Sequence, residues 1–158
     1  MGAELRLDAH PVTTWLLLGA APDSTRAVGE LLNRGVTHVL DCRTPRPMPP
    51  PAAICPSLVW CSASTKDDGA SRGTDWYSAC VAFAERAARE DNARLYVHCT
   101  AGANRSPAAA YAILRSRGWA ASTARDRILT RRTQARPRYF EDAEQCLAEL
   151  GLTDQERP

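Results

Sequence analysis

The chain has 158 residues, of which 44% are hydrophobic and 24% charged, with a formal net charge of +2. This length predicts a single domain over residues 1–158, with its core at about 12–150, and the composition excludes a disordered chain. No apolar run reaches the roughly 18 residues of a membrane span, and the nearly neutral charge does not favour a nucleic-acid or membrane partner.

The six cysteines show no spacing that is typical of a metal site. They are Cys42, Cys55, Cys61, Cys80, Cys99 and Cys146. No Cys-x-x-Cys pair and no Cys/His spacing suited to zinc occurs among them. The apolar run from Trp15 follows Asp8 and His10 and not a basic segment, so it is a poor signal peptide. The sequence therefore predicts a reducing, cytoplasmic location with free thiols, no metal and no cofactor.

The first part of the chain alternates strands with a helix. The segment TTWLLLGAA predicts a strand that ends at Gly19, and Ser24 is a suitable N-cap for a helix that Gly35 terminates. VTHVLDC predicts a buried strand. This order is typical of an α/β fold, with a central, mainly parallel sheet flanked by helices in three layers.

The middle of the chain begins with a loop. RTPRPMPPPAA is rich in proline, which lacks a backbone donor and has a fixed φ, and long loops often border a site. AICPSLVWC predicts a strand. DWYSACVAFAERAAREDN has apolar residues at helical spacing, which predicts a helix over about 75–90, and ARLYVHC predicts a further strand.

The last part of the chain predicts three helices. SPAAAYAILRSRG begins at about Ser106, with Pro107 in its first turn. STARDRILTRR is opened by Ser122, and YFEDAEQCLAELG is closed by Gly151. The segment HCTAGANRS, residues 98–106, therefore joins a buried strand to a buried helix. Ligands bind at this edge of parallel sheets, and the helix N-terminus offers free N–H groups to an anion.

The small residues of this loop suit a tetrahedral oxyanion. Small side chains let the backbone N–H groups face inward, and Gly102 permits a backbone angle that other residues resist. The predicted substrate-binding residues are Thr100, Ala101, Gly102, Ala103, Asn104 and Arg105.

Two residues of the loop add chemistry to this anion site. The helix dipole and Arg105 should lower the pKa of Cys99 below its ordinary value of about 8.5, which gives a nucleophilic thiolate. Arg105 can grip two oxygens of a phosphoryl group with its planar fork. Ser106 can donate a hydrogen bond to the sulfur when it leaves.

These residues resemble a known family. Cys-x5-Arg, preceded by His98 and followed by Ser106, resembles the signature loop of the cysteine-dependent protein tyrosine phosphatase superfamily. GVTHVLDC, RLYVHC, the helix after RSP and the RR…ARPRYF stretch resemble its compact dual-specificity branch, over roughly residues 12–150. The resemblance implies a phosphocysteine intermediate without a metal. It gives His98 a role in orienting the loop and tuning Cys99, although a satisfied core histidine is an equal alternative.

The resemblance also implies an aspartate that acts as general acid, on a mobile loop roughly thirty residues before the cysteine. Asp67 and Asp68 lie 32 and 31 residues before Cys99. Counting back from Trp76 and Tyr77, the usual aromatic pair, favours Asp67 and leaves Asp68 as the alternative. The glycines of KDDGASRG would let this segment move over a substrate, unless it is simply a solvated turn.

The substrate class follows from the resemblance alone. The chain is too short for the added recognition loop that makes a deep phosphotyrosine pocket, so a shallow pocket should admit phosphoserine and phosphothreonine as well, in a phosphoprotein or phosphopeptide. The loop has no lysine, which argues against phosphoinositides. The alternatives are a glucan, nucleotide or RNA phosphate, a phosphate-binding pseudophosphatase, and a different Cys-x5-Arg enzyme such as an arsenate reductase or a sulfurtransferase.

Two further features remain open in the sequence. Cys42 ends a strand that should run parallel to the strand carrying Cys99, and in some relatives a cysteine here forms a reversible disulfide with the nucleophile; the alternative is a small core residue. A run of arginines near the C-terminus is interpreted as a solvated helix face and not as a site for nucleic acid or an acidic phosphopeptide. Its members are Arg125, Arg127, Arg131, Arg132, Arg136 and Arg138.

Overall fold

A computed structural model describes residues 6–45 and 55–153. Within these ranges the chain forms five strands and five helices. In chain order they are β1 (Ala9–Pro11), β2 (Leu16–Gly19), α1 (Thr25–Asn33), β3 (His38–Asp41), β4 (Val59–Ser62), α2 (Thr74–Ala88), β5 (Leu95–His98), α3 (Arg105–Ser116), α4 (Ala121–Arg131) and α5 (Phe140–Glu149).

The strands form one sheet in the order β1-β2-β5-β3-β4. All neighbouring pairs are parallel except β1 with β2. In this register Gly19 and Asp41 lie on either side of His98, at the ends of β2, β3 and β5. The predicted α/β class with a mainly parallel sheet is therefore confirmed, and the residue after His98 is placed at the carboxyl edge of the sheet.

Both faces of the sheet are covered. Successive side chains of a strand point to opposite faces, so Leu16 and Leu18 join a core with α2 to α5, whereas Leu17 joins a second core with α1. Helix α3 is buried from Arg105 to Leu114, and its alanines let it lie close against the sheet. A helix this deeply buried fixes the loop that precedes it.

Several predicted boundaries were wrong. Strand β1 was not anticipated, and β4 starts only at Val59, because the Leu58 amide donates to the Cys55 carbonyl in a preceding turn. Helix α4 starts at Ala121 and Ser122 does not cap it; the first helical hydrogen bond runs from the Ala124 amide to residue 120. This early start follows the tight turn at 117–119 that leaves α3.

Two other expectations from the sequence concern the proline-rich loop and membrane-spanning helices. The proline-rich loop lies outside the described residues from position 46 onward. Within the described ranges, none of the helices combines the length and the apolar character that crossing a membrane requires.

Candidate active site

The segment 98–106, called here the Cys99 loop, connects β5 to α3. Cys99 follows directly after β5 and is 3% exposed, whereas α3 begins at Arg105. The Cys99 sulfur lies 3.2 Å from the hydroxyl oxygen of Ser106, in the first turn of α3. The strand and the helix thus bring together the three residues that the sequence singled out for nucleophilic chemistry.

The carbonyl oxygens of residues 100–103 all accept hydrogen bonds from outside the loop. The carbonyl of residue 100 accepts from the Ala21 amide at 3.1 Å, and that of residue 103 accepts from the Arg136 amide at 2.8 Å. The carbonyls of residues 101 and 102 accept from the Arg132 side chain, each at 2.9 Å. In a trans peptide the following N–H points opposite to the carbonyl, and the described residues contain no cis peptide bond. The loop amides therefore turn inward and form an anion-binding concavity.

Gly102 makes this geometry possible. Its φ of +68° lies in the left-handed region that the sequence analysis expected. A Cβ at this position would also lie 2.5 Å from the backbone of Gly19 and 2.6 Å from Arg132 Nη2. Both the backbone angle and the close approach to β2 require glycine here.

Arg132 is the residue that the sequence interpretation placed wrongly. It is fully buried rather than part of a solvated face. Its guanidinium binds the carboxylate of Asp8 at 2.9 and 3.0 Å and lies 3.0 Å from His10 Nδ1. A signal for this burial exists in the sequence, because Ala124 and Ile128 are buried on α4 and Arg132 continues the same four-residue spacing.

The pKa of Cys99 is lowered from its ordinary value. Burial of the sulfur opposes ionisation, but hydrogen bonds from the Ser106 hydroxyl and amide, from the Gly102 amide, and the positive charge of Arg105 outweigh it. The direction agrees with the sequence prediction. The causes differ in weight, since hydrogen bonds to the thiolate contribute more than the arginine does.

Arg105 is fixed against the rim of the loop. Its Nη1 donates to the Thr65 carbonyl at 3.0 Å, and its Nη2 donates to the Thr100 hydroxyl at 3.2 Å. Its Nε is buried and has no partner within the described residues. These contacts hold the guanidinium in one orientation and leave N–H groups for an oxyanion.

Asp67 contacts the Cys99 loop directly. Its carboxylate accepts hydrogen bonds from Asn104 Nδ2 at 3.0 Å, the Tyr139 hydroxyl at 2.7 Å and Arg138 Nη1 at 3.1 Å. Burial favours the neutral acid, but these donors and the charge of Arg105 outweigh it, so the pKa of Asp67 is lowered. Sequence reasoning missed Tyr139, although it lies in the RPRYF stretch that carried the resemblance.

Asp68 points to a different neighbour. It forms an ion pair with Arg72 and accepts a hydrogen bond from the Ala70 amide at 3.1 Å. The Ala70 amide and Arg72 lower the pKa of this exposed carboxyl. No contact between Asp68 and the Cys99 loop is present in the described residues, so the geometry favours Asp67 of the two candidates.

The segment 65–73, called here the Asp67 segment, is tied to α5. Asp142 accepts hydrogen bonds from the Ser71 hydroxyl at 2.6 Å and from the Arg72 amide at 2.9 Å, and the Gly69 amide donates to the Tyr139 hydroxyl at 2.9 Å. The Gly69 backbone has a φ of +81°. The segment is therefore an ordered loop and not a simple solvated turn.

His98 is fully buried behind the loop. Its Nδ1 donates to the Cys99 carbonyl at 3.1 Å, and its ring stacks on Tyr96 with centroids 5.6 Å apart. Burial outweighs the nearby Asp41 carboxylate and lowers the pKa of His98 to about 4. At neutral pH the imidazole is uncharged, so its contact with the loop is a fixed hydrogen bond and not a proton-transfer step.

Cys42 lies one residue beyond β3, beside Cys99. Its amide donates to the His98 carbonyl at 2.8 Å, one residue beyond the paired Asp41 and His98. Burial and the neighbouring Cys80 and Cys99 raise the pKa of the Cys42 thiol well above its ordinary value. All six cysteines are free thiols. A disulfide between Cys42 and Cys99 stays a prediction.

The fold was compared with known proteins. No family model and no curated protein matches the sequence. A point variant of human DUSP28 has a TM-score of 0.75 and 25% identity, over 91% of this chain and 97% of that chain. A mouse protein described as a dual specificity phosphatase, complexed with zinc tungstate, has a TM-score of 0.79 and 22% identity, over 99% and 98% of the chains.

A third neighbour was solved with a bound ligand. PTPMT1, solved in complex with PI(5)P, has a TM-score of 0.76 and 22% identity, over 90% of this chain and 96% of that chain. The fold is therefore that of the compact, cysteine-dependent dual-specificity phosphatases, as the resemblance in the sequence implied.

Proposed function

We propose that this protein hydrolyses phosphate monoesters through a phosphocysteine intermediate, with phosphotyrosine, phosphoserine and phosphothreonine in proteins as its substrates. The observation that carries the proposal is the surrounding of the Cys99 sulfur. A hydroxyl lies 3.2 Å from it, and the carbonyls of residues 100–103 are bonded outward, so that their N–H groups face the space above the sulfur.

In the first step the Cys99 thiolate attacks phosphorus. The S–P bond forms while the bond from phosphorus to the leaving oxygen breaks, and the protonated form of Asp67 gives its proton to that oxygen. Because the pKa of Asp67 is lowered, this is the minor form of the residue near neutral pH. The loop amides and the fork of Arg105 bind the equatorial oxygens, where negative charge is concentrated. The lowered pKa of Cys99 increases the fraction of the nucleophile that is ionised at a given pH.

In the second step water releases the phosphate. The Asp67 carboxylate accepts a proton from water, the water oxygen bonds to phosphorus, and the S–P bond breaks. Ser106 donates a hydrogen bond to the departing sulfur, which stabilises the thiolate that is regenerated. Asn104 and Tyr139 hold the Asp67 carboxylate against the loop for this role.

A protein substrate is favoured over a phosphoinositide by the charge of the loop. Residues 98–106 contain no lysine, so Arg105 is the single formal positive charge for the anion. A substrate with several phosphates would require more cations at this point. The PTPMT1 neighbour makes a phosphoinositide the alternative that the assay must include.

The test is phosphate release, without added metal, from an aryl phosphate, from matched phosphotyrosine, phosphothreonine and phosphoserine peptides, and from PI(5)P. We expect Cys99→Ser to lower the rate at least about 10⁴-fold. Cys61→Ser, the same chemical change on β4, is the control and should retain activity. Mass spectrometry of acid-quenched protein should find the phosphate on Cys99.

Two results would contradict the proposal. Release only from PI(5)P would assign a lipid substrate, and release from no substrate by folded, reduced protein would indicate a phosphate-binding pseudophosphatase. A glucan, nucleotide or RNA phosphate would then be tested for binding to Cys99→Ser.

A further inference from the structure

A second concentration of positive charge lies away from the Cys99 loop. The turn between β1 and β2, the start of β5 and the end of α4 enclose a pocket of about 280 Å³, called here the arginine pocket. It is lined by residues 11–14 together with Arg94, Arg127 and Arg131. These residues lie at the amino edge of β2 and β5, whereas Cys99 follows the carboxyl edge of β5.

The three arginines have no acidic partner within the part of the chain that the structure describes. None of the residues lining the arginine pocket is acidic. No ion pair of Arg94, Arg127 or Arg131 with a carboxylate occurs in residues 6–45 and 55–153, although seven other arginines in these ranges form such pairs. Three unpaired guanidinium groups around one concavity raise the local concentration of anions.

Two of these arginines are held in place by backbone carbonyls. Arg94 Nε donates to the Thr14 carbonyl at 2.9 Å, and its Nη1 donates to the Arg34 carbonyl at 2.6 Å. Arg127 Nη1 donates to the Val12 carbonyl at 3.2 Å, and its guanidinium stacks on Trp119 at 5.2 Å. Fixing these side chains before a ligand arrives reduces the conformational entropy lost on binding.

We infer that the arginine pocket binds a diphosphate group, either as inorganic pyrophosphate or as part of a nucleoside diphosphate. Three guanidinium groups exceed the charge of about −2 on one phosphate monoester, so a diphosphate matches them better. The small volume suits such a group rather than a large apolar ligand. This inference does not depend on the proposed phosphatase activity, because the Cys99 loop contributes no residue to the pocket.

The test is a titration of isotope-labelled protein with inorganic pyrophosphate, followed by amide chemical shifts in NMR spectra. Because the Cys99 loop also attracts anions, the position of each shifted amide decides which site is occupied. We expect one group of shifts at Thr13 and Thr14 and a separate group at residues 99–106. ADP in a parallel titration distinguishes the sources, since tighter binding than pyrophosphate indicates a nucleotide.

Arg131→Glu is the variant of choice because Arg131 is exposed and no contact of its side chain is described. We expect it to weaken the binding seen at Thr13 and Thr14 by roughly tenfold or more, and to leave binding at 99–106 unchanged. Arg125→Glu makes the same change on α4 but lines a different pocket, so it should leave both groups of shifts unchanged.

The inference is overturned if pyrophosphate and ADP shift only the amides of 99–106. It is equally overturned if shifts at Thr13 and Thr14 persist with unchanged affinity in both Arg131→Glu and Arg127→Gln. Arginines in the last turn of α4 also complement the helix dipole. That structural role alone would lower the melting temperature of the variants without changing where pyrophosphate binds.

Discussion

The Cys99 loop and the Asp67 segment contact each other but are held by different kinds of interaction. The loop is fixed from beneath by backbone amides and by Arg132, which is completely buried. The Asp67 segment is fixed by mixed contacts: Tyr139 is buried, whereas the side chains of the Arg138 and Asp67 pair are 45% and 30% exposed. One side of the site is therefore buried scaffold and the other is partly solvated.

This difference suits the two chemical roles. Anion binding needs donors that are already oriented, and buried hydrogen bonds keep their geometry because no water competes for them. A general acid must approach each substrate and withdraw from the product, and exposed ion pairs contribute only about 0–1 kcal/mol, so they exchange readily. Substitutions in the Asp67 segment should therefore change mainly kcat, whereas substitutions beneath the Cys99 loop should change both stability and the reactivity of Cys99.

The largest effect expected on the solvated side is that of Asp67→Asn. The amide keeps the size of the side chain but cannot give a proton to the leaving oxygen. We expect kcat to fall by about 10²–10⁴-fold on phosphoserine peptides, and less on an aryl phosphate whose leaving group is more acidic. The protein should be slightly less stable than the wild type near neutral pH, because the lowered pKa of Asp67 means that folding stabilises its charged form.

Asp68→Asn is the matched control, since Asp68 binds Arg72 and not the loop. Its kcat should stay within about threefold of the wild type. If Asp68→Asn lost more activity than Asp67→Asn on the same peptides, the assignment of the acid would move to Asp68.

The buried side is tested by Arg132→Met. Methionine fills part of the space but leaves the carbonyls of residues 101 and 102 without donors and Asp8 without its partner. We expect the free energy of unfolding to fall by about 3 kcal/mol, below the full value for a buried pair because Asp8 is partly exposed. The rate of Cys99 alkylation near neutral pH should also fall, because the loop amides no longer stabilise the thiolate.

The neighbouring Arg131→Met provides a control with the same chemical change. Arg131 is exposed, so stability should change by no more than about 0.5 kcal/mol and the alkylation rate should not change. If Arg132→Met does not fold, Arg132→Lys keeps the charge and removes the planar guanidinium fork. The rate of Cys99 alkylation in Arg132→Lys then tests whether the fork orients the loop. Equal rates in Arg132→Lys and the wild type would contradict a role for the fork in orienting the loop.

The sequence predicts the Cys99 loop better than its support. Cys99, Arg105 and Ser106 are neighbours along the chain, so one strand and one helix place them, and local signals are enough. Arg132 reaches the loop from about thirty residues away because β1, β2 and α4 meet there, and β1 was not anticipated. The run of arginines that contains Arg132 favoured a solvated helix face, and only the four-residue spacing on α4 indicated that Arg132 is buried.

The proposed general acid was harder to predict from the sequence for a similar reason. Asp67 and Asp68 are adjacent, so counting residues cannot separate them when the loop between β4 and α2 has no regular period. The structure separates them through Tyr139, which lies 72 positions after Asp67 in the chain. Contacts between distant segments depend on packing, which single-sequence patterns do not contain.

The smallest expected effect is a change in the pH dependence of kcat, which separates the Asp67 segment from the Cys99 loop. Tyr139→Phe removes a hydroxyl that donates to the Asp67 carboxylate at 2.7 Å. That hydrogen bond stabilises the charged form and helps to lower the pKa of Asp67, so its loss raises this pKa. Because the first step needs protonated Asp67, the limb of the kcat profile that Asp67→Asn abolishes should move to higher pH. The free energy of unfolding should fall by about 1 kcal/mol, since the Gly69 amide also loses its partner.

Tyr111→Phe is the control for this prediction. It removes a hydroxyl that donates to Glu144, between α3 and α5 and away from Asp67, so it should alter stability but not the pH profile. The other limb, which reports ionisation of Cys99, should stay in place in both variants because the Cys99 loop is untouched. If the limb that Asp67→Asn abolishes moves to lower pH in Tyr139→Phe, or moves equally in Tyr111→Phe, Tyr139 does not set the protonation of Asp67.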